Sequence, residues 1–455
     1  MYQDFTEGAI VKPLLKFAIP IVCSMFLQNL YGAVDLLVVG HFGSPVDVSA
    51  VSTGSMLMMT ITLLVTGLSL GITIIAGHKI GEKKTKETGE FIAKAIYFLM
   101  CIAAALTVLV LVFSRFVVVL MKAPEEAFDG TLSYVRICAL GMLAIIGYNL
   151  IGAIFRGIGD SKMPLIAVAI ASVINIIGDL ILVAVFSLGP SGTAIATIFA
   201  QGMSVIISLL IMRKRTLPFT IDRKDISWDW KVNKQILSLG LPSAVHEVLV
   251  TVSFLFLISI ANSLGVVASA GVGIAEKVCG FVMLIPSAYN QSIATFVAQN
   301  EGARKLERAS RALFSFCIIS FLTGILIFYF SFFHGDLLSG IFSEDADVIS
   351  AGASYLKAYA IDCLFVSFYF CFIGYLVGRG RTVFVMLVGL ISAFFVRTPL
   401  AYLFSQIEGV TLFGIGLCIP IATAFQTVLA VIYLVHVMKL DRRQSLLNNN
   451  SLDRI

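Results

Sequence analysis

Charge is what this sequence has least of. Asp, Glu, Lys and Arg make up 13% of its 455 residues, where a soluble globular chain carries about 25%, and this scarcity excludes an ordinary water-soluble fold. Other chemistry is also missing. The eight cysteines, Cys23, Cys101, Cys138, Cys279, Cys317, Cys363, Cys371 and Cys418, form no CxxC pair and all fall in apolar segments. They read as small apolar residues, neither metal ligands nor a disulfide framework. The five histidines have no ligand spacing, and no nucleophile elbow or phosphate-binding loop is visible. No metal site, no cofactor and no enzymatic centre are therefore expected.

What is present is apolar length. Hydrophobic residues reach 58%, and the mean hydropathy is +0.97. Uncharged windows such as Ala95–Ser114, Ala312–Phe333 and Gly409–Met438 match the ~20 residues that cross ~30 Å of hydrocarbon. Charge clusters and Gly/Pro/Ser breaks divide the chain into twelve spans near 13–39, 50–77, 92–114, 132–155, 163–187, 192–212, 235–261, 265–297, 312–333, 350–377, 383–405 and 413–437. The first apolar segment runs on as a full span, so no cleavable signal peptide is expected.

Most of the 32 Lys and Arg residues lie at the termini and in the even-numbered connections, while Arg115, Lys122, Arg136 and Lys357 fall to the odd-numbered ones. By the positive-inside rule both termini are cytoplasmic, in a cell membrane. The basic loops thus read as topology signals, and the net charge of +5 does not call for nucleic acid.

The chain also repeats itself. Pro20 matches Pro242, Gly81 matches Gly302, Tyr134 matches Tyr355, and Gly157-Ile-Gly159 matches Gly378-Arg-Gly380, all at an offset of about 221 residues. The expected fold class is an all-α polytopic membrane protein of twelve transmembrane helices in two parallel six-helix bundles, with pseudo-twofold symmetry along the membrane normal. The expected boundaries are 1–212 for the first bundle, 213–234 for a cytoplasmic linker, 235–438 for the second bundle and 439–455 for a tail. Such bundles meet at a mid-membrane cleft, where transporters place substrate.

Inside the spans stand Asp35, Asp179, Glu247, Glu276, Lys277, Asp362 and Arg397. Acids outnumber bases, a balance that favours cations, and intramembrane ionisable groups mark function by default. Asp35 and Asp179 have no acidic counterpart in the second half, so they are not general scaffold. Gln28, Tyr31 and Asp35 share one helix face; Asn175 and Asp179 are i, i+4, as are Thr197 and Gln201. If these faces converge, two carboxylates share a low-dielectric pocket, cannot easily both ionise, and take up a proton or Na⁺ reversibly. Glu247 is a candidate second cation site and Asn149 a candidate cleft residue. Asp362 needs a partner, which Arg397 can supply. Tyr289, Tyr148 and Phe155 are candidates for stacking on flat substrates.

The segments AIPIVCSMFLQNLYGAVDLLVVGHFG, FRGIGDSKMPL, INIIGDLIL and GTAIATIFAQ, in this order across the whole chain, resemble the multidrug and toxic compound extrusion (MATE) family, in its prokaryotic subgroup with an N-lobe coupling site. The resemblance implies that Asp35, Tyr31, Asn175, Asp179 and Thr197 bind the coupling ion, H⁺ or Na⁺. Another branch uses a seventh-span Glu and a tenth-span Asp. Glu247 matches the first, but Asp362 lies about a turn from the expected position at Val366, which favours the N lobe. The implied activity is a multidrug antiporter that exports amphipathic organic cations by alternating access. Its implied partners are the lipid bilayer and those small substrates, with no obligatory protein partner. The alternative is a lipid-linked oligosaccharide flippase of the same superfamily; those relatives usually have fourteen spans and a cationic cavity.

Overall fold

The computed structural model describes residues 3–452, so the last part of the tail expected at 439–455 lies outside the described residues. Helices run in the order α1 (Val11–Phe42), α2 (Pro45–Gly81), α3 (Thr85–Leu120), α4 (Phe128–Leu140), α5 (Met142–Gly157), α6 (Lys162–Asp179), α7 (Gly189–Lys214) and α8 (Trp230–Ser263). They continue with α9 (Val266–Val282), α10 (Leu284–Gly302), α11 (Leu306–Phe333), α12 (Gly335–Gly340), α13 (Ala346–Gly378), α14 (Thr382–Ile391), α15 (Thr398–Ser405), α16 (Leu412–Gly416) and α17 (Cys418–Leu452). Among the described residues eleven of the resulting rods are long and apolar enough to cross a membrane, and a bent pair makes twelve when it is read as one span. That pair is the fourth span, expected to be continuous over 132–155. Instead it breaks at Gly141, where α4 and α5 diverge by 55° and the missing side chain leaves room for Ile198 of α7.

Two segments are π-helical: Leu180–Val185, directly after α6, and Ser392–Arg397, between α14 and α15. The turn between the fifth and sixth spans has positive φ at Ser187 and Gly189. α2 begins with a capping box in which Ser44 and Asp47 satisfy each other's backbone N–H groups. Within α1, Pro20 lacks the N–H that would close a helical bond, and Ser24 donates its hydroxyl to the Pro20 carbonyl at 2.7 Å.

The chain forms two compact units. One comprises Leu15–Ala244 with the residues up to Glu7; the other comprises Gly8–Leu14 and the chain from Val245 on. Each has its own apolar core, around Ile72, Phe91, Leu99 and Ile146 in the first and around Leu257, Tyr355, Leu356 and Ile419 in the second. The internal repeat is visible in the backbone. Lys83 and Arg304 both turn left-handed, at φ 59° and 58°, and Gly159 and Gly380 do so at 85° and 70°. Gly157 packs on Thr73 and Ala76 of α2, and Gly378 packs on Ala294 and Val297 of α10, so one close helix crossing occurs at equivalent places in each unit.

The basic segment between α7 and α8 is bound along α3. Lys94 pairs with Asp229 at 2.9 Å, Trp228 packs edge-on against Phe98, and Phe219 is buried. Gly89 of α3 has the Thr220 carbonyl where a Cβ would stand. Gly89→Val is therefore expected to lift this segment off α3 and raise proteolysis between Arg213 and Trp230 severalfold in a limited-digestion time course. Digestion at the wild-type rate would show that the close contact at Gly89 is not maintained.

Candidate functional site

Three helices of the first unit bring the acidic residues together. Asp35 on α1 and Asp179, the last residue of α6, are 7% and 0% exposed. Asp179, Asn175 and Thr197 all act on the Asp35 carboxylate. The Asn175 amide donates to the Thr197 hydroxyl at 3.4 Å, and that hydroxyl donates to the Thr193 carbonyl at 3.0 Å. Tyr31, one turn before Asp35, interacts with Asp35, Gln201 and Tyr148, and Gln28 donates to the Tyr148 hydroxyl at 3.0 Å. The π-helical turn starts at the residue after Asp179, and such turns cluster at functional sites.

The site is rich in acceptors and poor in donors. Neither oxygen of Asp179 has a donor among the described residues, nor do Asp35 Oδ1, Asn175 Oδ1 or Gln201 Oε1. A buried ionised carboxylate without partners is expensive. Two that interact directly can coexist only by sharing a proton or by holding a cation between them. This arrangement suits reversible binding of a proton or a hard monovalent cation with oxygen ligands.

Of the residues singled out from sequence, Asp35, Tyr31, Asn175, Asp179, Thr197 and Gln201 come together, and Gln28 joins through Tyr148. Asn149 does not. Its amide donates to the Ile145 carbonyl at 2.8 Å and its oxygen accepts from Thr66, so it fastens α5 to α2. Glu247 is 54% exposed, and among the described residues its ionic neighbour is His246 at 3.8 Å, with no second carboxylate paired to it. Phe155 is core, Tyr289 packs edge-on against Phe316, and Tyr148 alone of the three proposed aromatics stands in the polar row. Spacing did not reveal Tyr134 of α4, a buried phenol whose ring fills the space opposite Gly54 and which lies close enough to Asp35 for their charges to interact.

The second unit holds a different polar cluster. Arg397 donates to the Ser253 hydroxyl at 2.9 Å and its guanidinium lies 4.4 Å from the Phe254 ring centre. Asp362 and Arg397 do not make the expected direct ion pair, although the guanidinium charge still acts on Asp362. Asp362 has Thr423 beside it and one oxygen without a donor, while Glu276 accepts from Tyr355 at 3.0 Å. Lys277, adjacent to Glu276, points instead toward the Phe342 ring.

Known proteins with this architecture place the chain. The MatE family profile matches residues 20–181 and again 242–403, two copies set 222 residues apart. The probable multidrug resistance protein YpnP of Bacillus subtilis is 27% identical over 94% of this chain and 96% of its own length. The multidrug export protein MepA of Staphylococcus saprophyticus is 21% identical over 90% of each. A solved MOP superfamily transporter from Pyrococcus furiosus shares the fold with TM-score 0.90 at 20% identity, covering 96% of this chain and 98% of that one. With both of its halves matched by one profile and its whole length by transporters of the same fold, this chain belongs to the MatE family of multidrug and toxic compound extrusion transporters.

Proposed function

We propose that this protein is a secondary active exporter of the cell membrane, with both termini cytoplasmic, that exchanges H⁺ or Na⁺ entering the cell for an amphipathic organic cation leaving it. The observation that supports this most directly is the buried Asp35–Asp179 pair, in which both oxygens of Asp179 and Oδ1 of Asp35 lack a donor among the described residues. Cation uptake neutralises the pair, and release restores its charge. An ion that binds one conformational state better than the other shifts the balance between them, whereas equal binding shifts nothing. Asn175, Thr197, Tyr31 and Gln201 supply the polar neighbours of that ion. Relatives named as multidrug resistance and multidrug export proteins support drugs as the cargo. The bilayer and the cargo are the partners this reading requires.

Exchange of one proton for one monovalent cation moves no net charge. The ~2.3 kcal/mol that each charge gains across ~100 mV then cancels, and the chemical gradient alone drives export. Purified protein in proteoliposomes is expected to move ethidium under an imposed pH gradient or an imposed Na⁺ gradient, at a rate unchanged when valinomycin and K⁺ clamp the potential. Ethidium flux indifferent to both gradients would overturn the antiport reading.

A further inference from the structure

One ionisable group near the site plays no part in that scheme. Arg156 lies in the last turn of α5. Instead of extending beyond the helix end, its side chain folds back along α5 over Gly152: its Nη1 stands 3.1 Å from where a Gly152 Cβ would be. Gly152 thus provides the space in which a guanidinium can lie flat against its own helix.

The direction of that fold is informative. Tyr148, Gly152 and Arg156 are spaced i, i+4, i+8 and share one face, and Tyr148 is the neighbour with which the Arg156 charge interacts. Tyr148 accepts its hydrogen bond from Gln28, which leaves its own hydroxyl proton for another acceptor. Tyr31 in turn links Tyr148 to Asp35. One polar row of the first unit therefore runs from two carboxylates to a guanidinium.

Among the described residues no acid pairs with Arg156. The carboxylate one turn further on, Asp160, pairs with Arg215 at 3.0 Å and caps the N–H groups of Lys162 and Met163. A half-buried guanidinium left without an anion is costly. A basic side chain serving only the helix dipole would stay by the final carbonyls, whereas this one lies a turn back. The repeat adds an independent argument. The Tyr148 position is kept as Tyr369 in the second half, but an offset of 221 or 222 residues sets Val377 or Gly378 opposite Arg156, so the arginine is not shared scaffold.

We propose that Arg156, folded over Gly152 beside the Tyr148–Gln28 pair, is an anion subsite that binds a carboxylate or phosphate group carried by the transported molecule. This deepens the exporter reading and rests on it: beside simple organic cations, whose exchange for one proton moves no net charge, the protein accepts bipolar cargo with a cationic centre and an anionic oxygen group. Guanidinium recognises planar oxyanions through paired N–H donors, and the Tyr148 hydroxyl adds a third donor.

Rhodamine 110 and rhodamine 123 test this directly, since the first carries a free carboxylate where the second carries its methyl ester. Binding of each to the purified full-length protein in phosphatidylcholine nanodiscs is read by fluorescence anisotropy. Wild type is expected to prefer the acid by about tenfold to a hundredfold, the scale of one charge-assisted hydrogen bond. Arg156→Gln is expected to erase that preference, and Arg156→Lys to keep part of it. Gly152→Val, which retains the charge but displaces the guanidinium, is expected to erase it as well. Loss of the preference only when phosphatidylglycerol is added would assign the same subsite to a lipid headgroup as the anion's source. A wild type without preference for the acid, or an Arg156→Gln variant that weakens acid and ester equally, overturns the proposal. Gradient-driven efflux of the ester is measured alongside, so failure of the coupling scheme is seen separately from failure of the subsite.

Discussion

Asp35→Asn is expected to abolish gradient-driven efflux while leaving dye binding measurable. The substitution keeps the shape of the side chain and removes the one property the site needs, a charge that can be neutralised and restored. With an amide at position 35, Asp179 loses the like-charged neighbour that forces the two acids to share a cation. The state without bound ion then resembles the ion-bound state, and the gradient has nothing to act on. Efflux of ethidium should fall by at least about tenfold, the loss expected when a function that depends on a single differential interaction is removed. Asp179→Asn should do the same, and the double variant should be little worse than either, because residues acting as a unit are non-additive. Transport at the wild-type rate by Asp35→Asn would make the pair a structural polar contact. The search for a coupling acid would then move to Glu247, Glu276 and Asp362 of the second unit.

Gly67→Leu is expected to produce the largest loss of stability. α2 and the first part of α8, both within the first unit, approach closely along two small-residue steps: Gly67 lies against Ala244, and Gly71 against Gly240 and the Ile236 carbonyl. A Cβ at Gly71 would stand 2.8 Å from that carbonyl oxygen, inside any tolerable contact. Between apolar helices in lipid there is little hydrophobic drive, so such close packing carries much of the association. A leucine there must push backbone away from backbone at a cost of at least ~1–3 kcal/mol. Thermal denaturation followed by size-exclusion fluorescence should show a clear drop in midpoint for Gly67→Leu. Gly280→Leu, where the added side chain meets open space, is the matched control and should melt close to wild type. Equal midpoints for the two variants would show that α2 and α8 are not held this closely.

Much of this site is legible in one dimension. Tyr31–Asp35, Asn175–Asp179 and Thr197–Gln201 each sit one helical turn apart, and a polar face on an apolar helix stands out as soon as the bilayer is recognised as the solvent. What spacing cannot say is which faces meet. Asn149 is an intramembrane amide like Asn175, yet it fastens two helices together, because Thr66 of α2 lies opposite it. Glu247 has the chemistry of a cation ligand, but its nearest ionic neighbour is His246. Asp362 and Arg397 look like natural partners, and Ser253 and Phe254 take the guanidinium instead. Arg156 is the opposite case. At the end of an apolar run it reads as a loop charge, and only Gly152, an absence of side chain four residues back, permits it to fold inward. The i, i+4, i+8 series of Tyr148, Gly152 and Arg156 is the signal that could have disclosed it.

By itself the sequence determined the solvent, the span count, the duplication and the identity of the acids, because each follows from local composition or from self-similarity at one offset. Even the left-handed turns at Lys83 and Arg304 follow the 221-residue register. Tertiary structure decided the rest: the 55° break in the fourth span, the π-helical turn after Asp179, the convergence of α1, α6 and α7 on two carboxylates, and the folding of Arg156 along its own helix. Periodicity fixes the side of a helix on which a residue stands. Which residue of another helix faces it depends on helix crossings set by glycine contacts, and those are properties of pairs of surfaces that no single stretch of chain contains.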